Sequence, residues 1–431
     1  MKYIKTYGYA DGKVFTPAVG EFVKTTKESE LINVYPLEKS EIMGFGGAFT
    51  YSSAKNYFSA DDKDKKNILE YLFGNSGLKY NFCRLCIGSS DFSDEEYCYV
   101  SDDDPDLSSF TIDRDRAYII PFIKDAIAYS AEEIKFFASP WSPPAFMKTN
   151  NTRFNGGTLK KEYYSLYARY IAKFIKAYEK EGIKIYAVTL QNEPKASQTW
   201  ESCCFSPSEE AEFAKVLKGV FDEESIGAKI ICWDHNKERL FERADEIYNK
   251  CGDIVSGSGF HWYSGEHYGA IDAVKTKYPD KILLATEFCL SIGIDEVDSS
   301  YAREIIGDIS CGANAMTEWN LILDEQGGPY HNRKAGCDAP IKFFSDKNEV
   351  SRSGIYYETY AFSHFINRGA KTLYTSSFNE SIKTCAVKNP NGEIVLCVFN
   401  SSAAKKAKIY VEGFMSDVEL KEKGLYTFVI G

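Results

Sequence analysis

The chain has no apolar stretch long enough to cross a bilayer. It has no excess of positive charge either: 51 Lys and Arg face 62 Asp and Glu, a formal net charge of −11. Nucleic acid and anionic membranes both call for a basic surface, so neither is expected as a partner. A metal framework is missing too. Cys83-x-x-Cys86 is not followed by a second pair, and His261, Glu266 and His267 lack a third ligand at a convincing spacing. No zinc and no other cofactor is expected. The first ten residues, Met1-Lys-Tyr-Ile-Lys-Thr-Tyr-Gly-Tyr-Ala10, lack the apolar core of a signal peptide. Of the twelve cysteines, Cys83, Cys86, Cys232, Cys289 and Cys397 lie inside apolar runs. There they read as small buried hydrophobes in a reducing compartment. A cytoplasmic location is the expectation; a secreted one stays open should a leader precede Met1. Neither an internal repeat nor a low-complexity linker is visible.

What is present is a globular composition, with 44% hydrophobic and 26% charged residues, which argues against disorder. At 431 residues the chain suits a large α/β barrel plus a smaller accessory domain. Eight strand-like runs follow one another: 42–49, 80–87, 134–139, 183–190, 229–233, 254–262, 282–288 and 313–319. Amphipathic segments lie between them, among them 115–130, 161–181, 208–223, 237–250 and 301–311. In 161–181, Tyr164, Tyr167, Ala168, Ile171, Ile175 and Tyr178 fall at helical spacing. Ser206-Pro-Ser208 ahead of Glu209 and Glu210 is a helix start. Alternating β and α elements predict a parallel sheet, and eight strands predict a closed (β/α)8 barrel. Short alternating strands take over at 382–388, 394–400, 407–412 and 425–430, with a hairpin turn at Asn389-Pro-Asn-Gly392. The first forty residues also lack helical periodicity. The expected fold class is therefore α/β: a barrel over 41–365, with an accessory β-sandwich built from 1–40 and 366–431.

Two glutamates end buried strand runs. Glu193 closes Tyr186-Ala-Val-Thr-Leu-Gln-Asn-Glu-Pro194, and Glu287 closes Ile282-Leu-Leu-Ala-Thr-Glu-Phe288. A carboxylate there is costly without a partner or a task. The other run ends are polar and aromatic as well: Ser89-Ser-Asp91-Phe-Ser93, Ser139-Pro-Trp141, Trp233-Asp-His-Asn236, His261-Trp-Tyr263 and Glu318-Trp-Asn320. Barrel enzymes place their catalytic groups at these ends. Two facing carboxyls about 5–5.5 Å apart are what retaining glycoside hydrolysis needs, one as acid and one as nucleophile. Glu193 as the acid would need a raised pKa, from low dielectric and from the charge of Glu287. Arg84 and the Tyr263 hydroxyl would keep Glu287 ionised, and Asn192 could bond the sugar 2-hydroxyl. Structural ion pairs are the bland alternative for the glutamates, and core packing is the bland alternative for Trp141, Trp319 and Cys289. A satisfied structural role is the plain reading of His261, which nevertheless stands with Arg84 among the candidate substrate contacts.

Gly44-Phe-Gly-Gly-Ala-Phe49, Ser90-Asp-Phe-Ser93, Ala138-Ser-Pro-Trp-Ser-Pro-Pro144, Gln191-Asn-Glu-Pro194, His261-Trp-Tyr263, Ala285-Thr-Glu287 and Thr317-Glu-Trp-Asn320 together resemble the motifs of glycoside hydrolase family 30. The glucosylceramidase-like branch is the nearest. The resemblance implies Glu193 as acid/base, Glu287 as nucleophile, and Asp91, Trp141, Asn192, Tyr263 and Trp319 around the sugar. It implies a retaining β-glycosidase acting on β-glucosidic bonds, with a carbohydrate or glycoside as its partner. A β-1,6-glucanase or β-xylosidase of the same family is the alternative, and a non-catalytic carbohydrate-binding barrel is the competing class. The loop from Gln326 to Cys337 keeps Gly-Gly-Pro but then departs from the pattern. In the family it helps to shape the leaving-group side, so the aglycone stays open.

Overall fold

The computed structural model describes residues 4–20, 23–24, 30–292 and 300–431. Eight parallel strands close into a barrel: β1 (Gly44–Phe49), β2 (Phe82–Ile87), β3 (Lys135–Pro140), β4 (Ile185–Thr189), β5 (Lys229–Asn236), β6 (Val255–His261), β7 (Ile282–Glu287) and β8 (Ala315–Asn320). Every residue of β1, β2 and β8 is buried, as continuous apolar runs demand. Phe82, Phe137, Ala187, Ile231, Leu284 and Ala315 form one apolar layer inside the barrel. Side chains two residues further along a strand point the same way. Arg84 on β2 and Thr286 on β7 therefore also face inward, one layer nearer the mouth.

The outer helices follow the strands in turn, and their starts obey ordinary capping chemistry. Helix Pro207–Glu223 begins with a reciprocal box in which Ser206 and Glu209 bond each other's backbone N–H. The expected helix over 115–130 is two helices, Asp113–Ala117 and Ile119–Tyr129, broken at Tyr118, which leaves helical geometry with φ −139°. Residues 161–163 form a 3₁₀ turn ahead of helix Tyr164–Lys180. Helices Tyr51–Ser59 and Asp62–Phe73, capped by Thr50 and Asp61, add to the expected set.

Ten strands make the second sheet. Ile4–Ala10 pairs with Gly424–Ile430, and Leu31–Glu41 lies between Lys371–Ser377 and Lys405–Val411. Both ends of the chain thus build it. Ile394–Asn400 is buried on both faces. Ile394, Leu396 and Val398 enter the sandwich core, while Val395, Cys397 and Phe399 pack toward the barrel. The Asn389–Gly392 hairpin turn is present; Gly392 has φ +90°, open to glycine at little cost.

Candidate active site

The mouth of the barrel is shaped by irregular pairing. Register shifts fall at Gly259/Phe260 against β5, at Phe260/His261 against β7, and at Glu318/Asn320 against β1. The extra residues are Asp234, Thr286 and Trp319. Bulges re-aim side chains and sit beside active sites. The β5 bulge is the sharpest: Trp233 and Asp234 both take left-handed backbone, with φ +69° and +61°. Gly259 makes room for it, since a Cβ there would stand 2.9 Å from Thr286 and 3.1 Å from the Asp234 Cα. Glu210 supports it by accepting the Trp233 N–H at 2.9 Å, and Arg243 in turn holds Glu210. Such local strain persists only where the surroundings enforce it.

The bulge turns Asp234 into the barrel. Its carboxylate accepts from Ser139 (3.0 Å), Thr189 (2.6 Å), Thr286 (2.5 Å), Arg84 (2.8 Å) and His261 Nε2 (3.0 Å). Arg84, fully buried, spends its whole fork. Nε bonds Ser139, Nη1 bonds the Thr286 carbonyl and Glu287 Oε2 (2.8 Å), and Nη2 bonds Asp234 and Asn192 Oδ1 (2.9 Å). Glu287 also accepts the Tyr263 hydroxyl at 2.9 Å. Glu193, itself at φ +48°, takes His261 Nδ1 at 3.3 Å and His235 Nδ1 at 3.5 Å. The same His261 nitrogen stands 3.9 Å from Glu287.

These contacts set the protonation pattern. Burial works against the charge on Asp234, yet Arg84 and His261 outweigh it and hold the carboxyl well below the usual range. Burial would discharge His261, but the carboxylates of Glu287, Asp234 and Glu193 push it up to about 9. Burial would likewise raise Glu193, but the imidazoles of His235, 3.5 Å away, and His261, which hydrogen-bonds it, hold it low. The expected rise at Glu193 is therefore corrected. Two imidazoles, invisible as partners in the sequence, overcome burial, and the resting proton sits on His261.

A cleft of about 240 Å³ opens over this array. Asp91, Trp141, Asn192, Glu193, Tyr263 and Glu287 line it. Arg84, His261 and Trp319 do not, and lie beneath the lining. Trp319 stacks on Trp141 at 4.9 Å and 17°, with the Arg84 guanidinium 4.7 Å from the Trp141 ring. Glu318 points away from the mouth, to Tyr80 and Thr359. The sequence reading did not single out Gln198, Trp200, His235, Asn236 or Arg333, which also line the cleft. The polar run Trp233-Asp-His-Asn236 carried a signal for His235 and Asn236, and the divergent loop from Gln326 to Cys337 carried one for Arg333. Glu193, His235 and His261 could offer a metal three atoms within 4.8 Å. Both His261 nitrogens already serve carboxylates, however, and metal binding would have to displace its proton.

This chain, whose buried carboxylates meet over a small polar cleft, matches two models of one family. Residues 42–366 match the glycosyl hydrolase family 30 TIM-barrel domain, and residues 369–428 match the family 30 beta sandwich domain. The chain belongs to glycosyl hydrolase family 30. Among curated family relatives, putative glucosylceramidase 3 of Caenorhabditis elegans is 30% identical over 94% of this chain and 83% of its own. Among solved structures, SrfJ from Salmonella typhimurium is 31% identical with a TM-score of 0.94, covering 99% of both chains. The endo-beta1,6-glucanase BT3312 is 25% identical with a TM-score of 0.87, covering 100% of this chain and 99% of the other. The family 30 barrel here carries the divergent loop after β8 back across the cleft, where Arg333 pairs with Asp91. Among the described residues no helix is long and apolar enough to cross a membrane.

Proposed function

We propose that this chain is a retaining β-glycosidase acting on β-glucosides, with Glu287 as nucleophile and Glu193 as acid/base. The observation that carries this reading is the shared nitrogen. His261 Nδ1 lies 3.3 Å from Glu193 and 3.9 Å from Glu287, so their nearest oxygens can be no more than about 7 Å apart. That ceiling takes in the ~5–5.5 Å of retaining enzymes and excludes most of the ~6.5–9.5 Å of inverting ones.

The charges suggest how the proton moves. Among the groups that raise His261, Glu287 is the largest. When Glu287 attacks the anomeric carbon it becomes an ester and loses its charge. The hold on the His261 proton weakens in that same step. The proton passes from Nδ1 to Glu193 and on to the departing glycosidic oxygen, and the C–O bond breaks. In the second step Glu193 takes a proton from water, the hydroxide attacks the ester, and Glu287 leaves ionised, which recharges His261. Before the attack and again as Glu287 leaves the sugar, Arg84 and Tyr263 stabilise its carboxylate. Arg84 occupies Asn192 Oδ1, so the amide nitrogen is the group left to donate to the sugar 2-hydroxyl.

A β-1,6-glucanase is the second reading, favoured by the likeness to BT3312. The β-glucoside reading goes with a reducing, cytoplasmic location, taken from cysteines that sit in apolar runs, and with small soluble glycosides as substrates. The test is a panel of nitrophenyl β-glycosides with proton NMR of the first product. Release of the β-anomer is expected; initial α-anomer would overturn retention.

A further inference from the structure

Two cysteines from distant parts of the chain meet at the edge of the cleft. Cys289 stands two residues beyond Glu287 and lines the cleft together with both glutamates. Cys337 ends the divergent loop after β8 and has no exposed surface. Their Sγ atoms are 3.0 Å apart. A disulfide bond is about 2.05 Å long, so the sulfurs need to close by only about 1 Å to join. The backbone around them is already laid side by side. The Ile292 N–H donates to the Gly336 carbonyl at 2.9 Å, and the Asp338 N–H donates to the Leu290 carbonyl at 2.8 Å. Ser291 and Cys337 thereby form an antiparallel bridge. The Trp262 indole N–H holds the Cys289 carbonyl at 3.1 Å.

The surroundings give the two sulfurs different roles. Arg333 donates to Cys337 Sγ through Nη2 at 3.3 Å. A guanidinium beside a sulfur favours its thiolate. The bond to Cys337, and burial, push the Cys289 thiol up, so Cys289 is the proton donor of the pair and Cys337 the acceptor. Cys289 is therefore a slow nucleophile, yet it is the sulfur that a reagent in the cleft meets. The cleft holds about 240 Å³, so any group bonded to Cys289 takes room that a substrate needs. The Tyr263 hydroxyl, which donates to Glu287, touches the same sulfur at 3.3 Å. An adduct on Cys289 would crowd that contact as well. A bond from Cys289 to Cys337 lies where the sulfurs already touch, and it leaves the cleft open.

We propose that Cys289 and Cys337 form a modification site for small disulfides, in which Cys289 reacts first and Cys337 clears the adduct. Cys289 Sγ attacks one sulfur of R–S–S–R. That S–S bond breaks, and the Cys289 proton leaves with the departing thiolate as R–SH. Cys337 Sγ then attacks Cys289 Sγ and expels the second R–S group, which takes the Cys337 proton. Two protein thiols are oxidised to one internal disulfide, and one R–S–S–R is reduced to two R–SH. Excess thiol returns the pair to its dithiol state by the same exchange. The catalytic cleft is thus never left blocked by a stable adduct.

The experiment incubates the full chain with cystamine, a small cationic disulfide suited to a carboxylate-lined cleft, at mildly alkaline pH with no other thiol present. Peptide masses are read before and after. Rates on a nitrophenyl β-glucoside are compared with each protein's own untreated rate. The rates rest on the glycosidase reading above; the masses do not. In the wild type, Cys289 and Cys337 should be recovered as one internal disulfide, with activity within about 2-fold of the untreated protein. In Cys337→Ser the cystamine half should stay on Cys289, and activity should fall about 10-fold or more and return with dithiothreitol. Cys289→Ser should show neither the adduct nor the loss. A stable adduct on Cys289 of the wild type, an unmodified Cys289 in both proteins, or equal losses in the wild type and Cys337→Ser overturns the proposal. Loss of activity in treated Cys289→Ser overturns the place given to Cys289. No turnover before treatment overturns the glycosidase reading, and the masses then decide the thiol chemistry alone. If Cys337→Ser does not fold, the wild-type masses decide.

Discussion

His261 joins Glu193 through Nδ1 while its Nε2 rests on Asp234, so one imidazole links the acid/base candidate to a fully buried carboxylate inside the barrel. A proton held there up to about pH 9 is the proton that Glu193 lacks at rest.

The pH profile follows from that link. A raised histidine keeps its proton below its folded pKa and loses it above, so kcat/KM should fall as pH rises through about 9. In His261→Asn the proton rests on Glu193 alone, and the alkaline limb should move to lower pH. Its kcat on alkyl glucosides should drop about 10²–10⁴-fold, the usual reach of general acid–base catalysis. An unmoved limb in the variant would count against the relay.

The glutamates should differ in what they abolish. Glu287→Gln should leave no turnover on any substrate, because no nucleophile remains. Glu193→Gln should lose about 10²–10⁴-fold on alkyl glucosides and far less on dinitrophenyl glucosides, which need little protonation. Azide should restore the second variant and yield a β-glucosyl azide. Equal losses across leaving groups in both variants would contradict the assigned roles.

Glu318 offers a test of stability rather than of catalysis. Burial pushes its carboxyl up to about 8 against the hydrogen bonds of Tyr80 and Thr359. The folded state then keeps a proton that the unfolded chain releases near pH 4.3, so stability should decline between roughly pH 4.3 and 8 and level off above. Glu318→Gln keeps the acceptor oxygen and removes the ionisation. Urea titrations should show the variant gaining on the wild type by up to about 4 kcal/mol between pH 5 and pH 8, at 1.36 kcal/mol per unit. A constant difference across pH would mean that Glu318 is charged in the fold.

Substrate class can be separated from mechanism. Short soluble β-glucosides should be hydrolysed faster than glucosylceramide in vesicles, and titration after unfolding without reductant should find twelve thiols. Faster ceramide turnover would move the substrate class to lipids and leave the two-glutamate chemistry untouched.

The barrel strands were readable because strands buried on both faces are continuous apolar runs, and short linkers separate them from their helices. β5 was read three residues short, since nothing local announces that Trp233 and Asp234 bend left-handed and then resume pairing to Asn236. Glu193, Glu287, Asn192 and Tyr263 stood out by strand-end position. Asp234 and His235 did not, because only the bulge decides which of four consecutive polar or aromatic residues faces inward. The Arg333–Asp91 contact spans 242 positions, and the low pKa of Glu193 depends on His235 and on His261, the latter 68 positions away. Relationships of that length belong to the folded chain and leave no periodic trace in the sequence.

The pairing of Ile4–Ala10 with Gly424–Ile430 has a consequence for synthesis. The strand Ile4–Ala10 is synthesised about 420 residues ahead of the strand it pairs with. At ~5–20 residues per second, that strand waits on the order of half a minute for its partner. During that interval the barrel can assemble, but the sandwich lacks a strand in its interior. The nascent protein therefore carries an open sheet edge beside an otherwise finished catalytic domain. Covalently joining the two paired ends and opening the chain at an exposed loop would remove the delay. Such a circular permutant should refold with less aggregation than the natural order of elements.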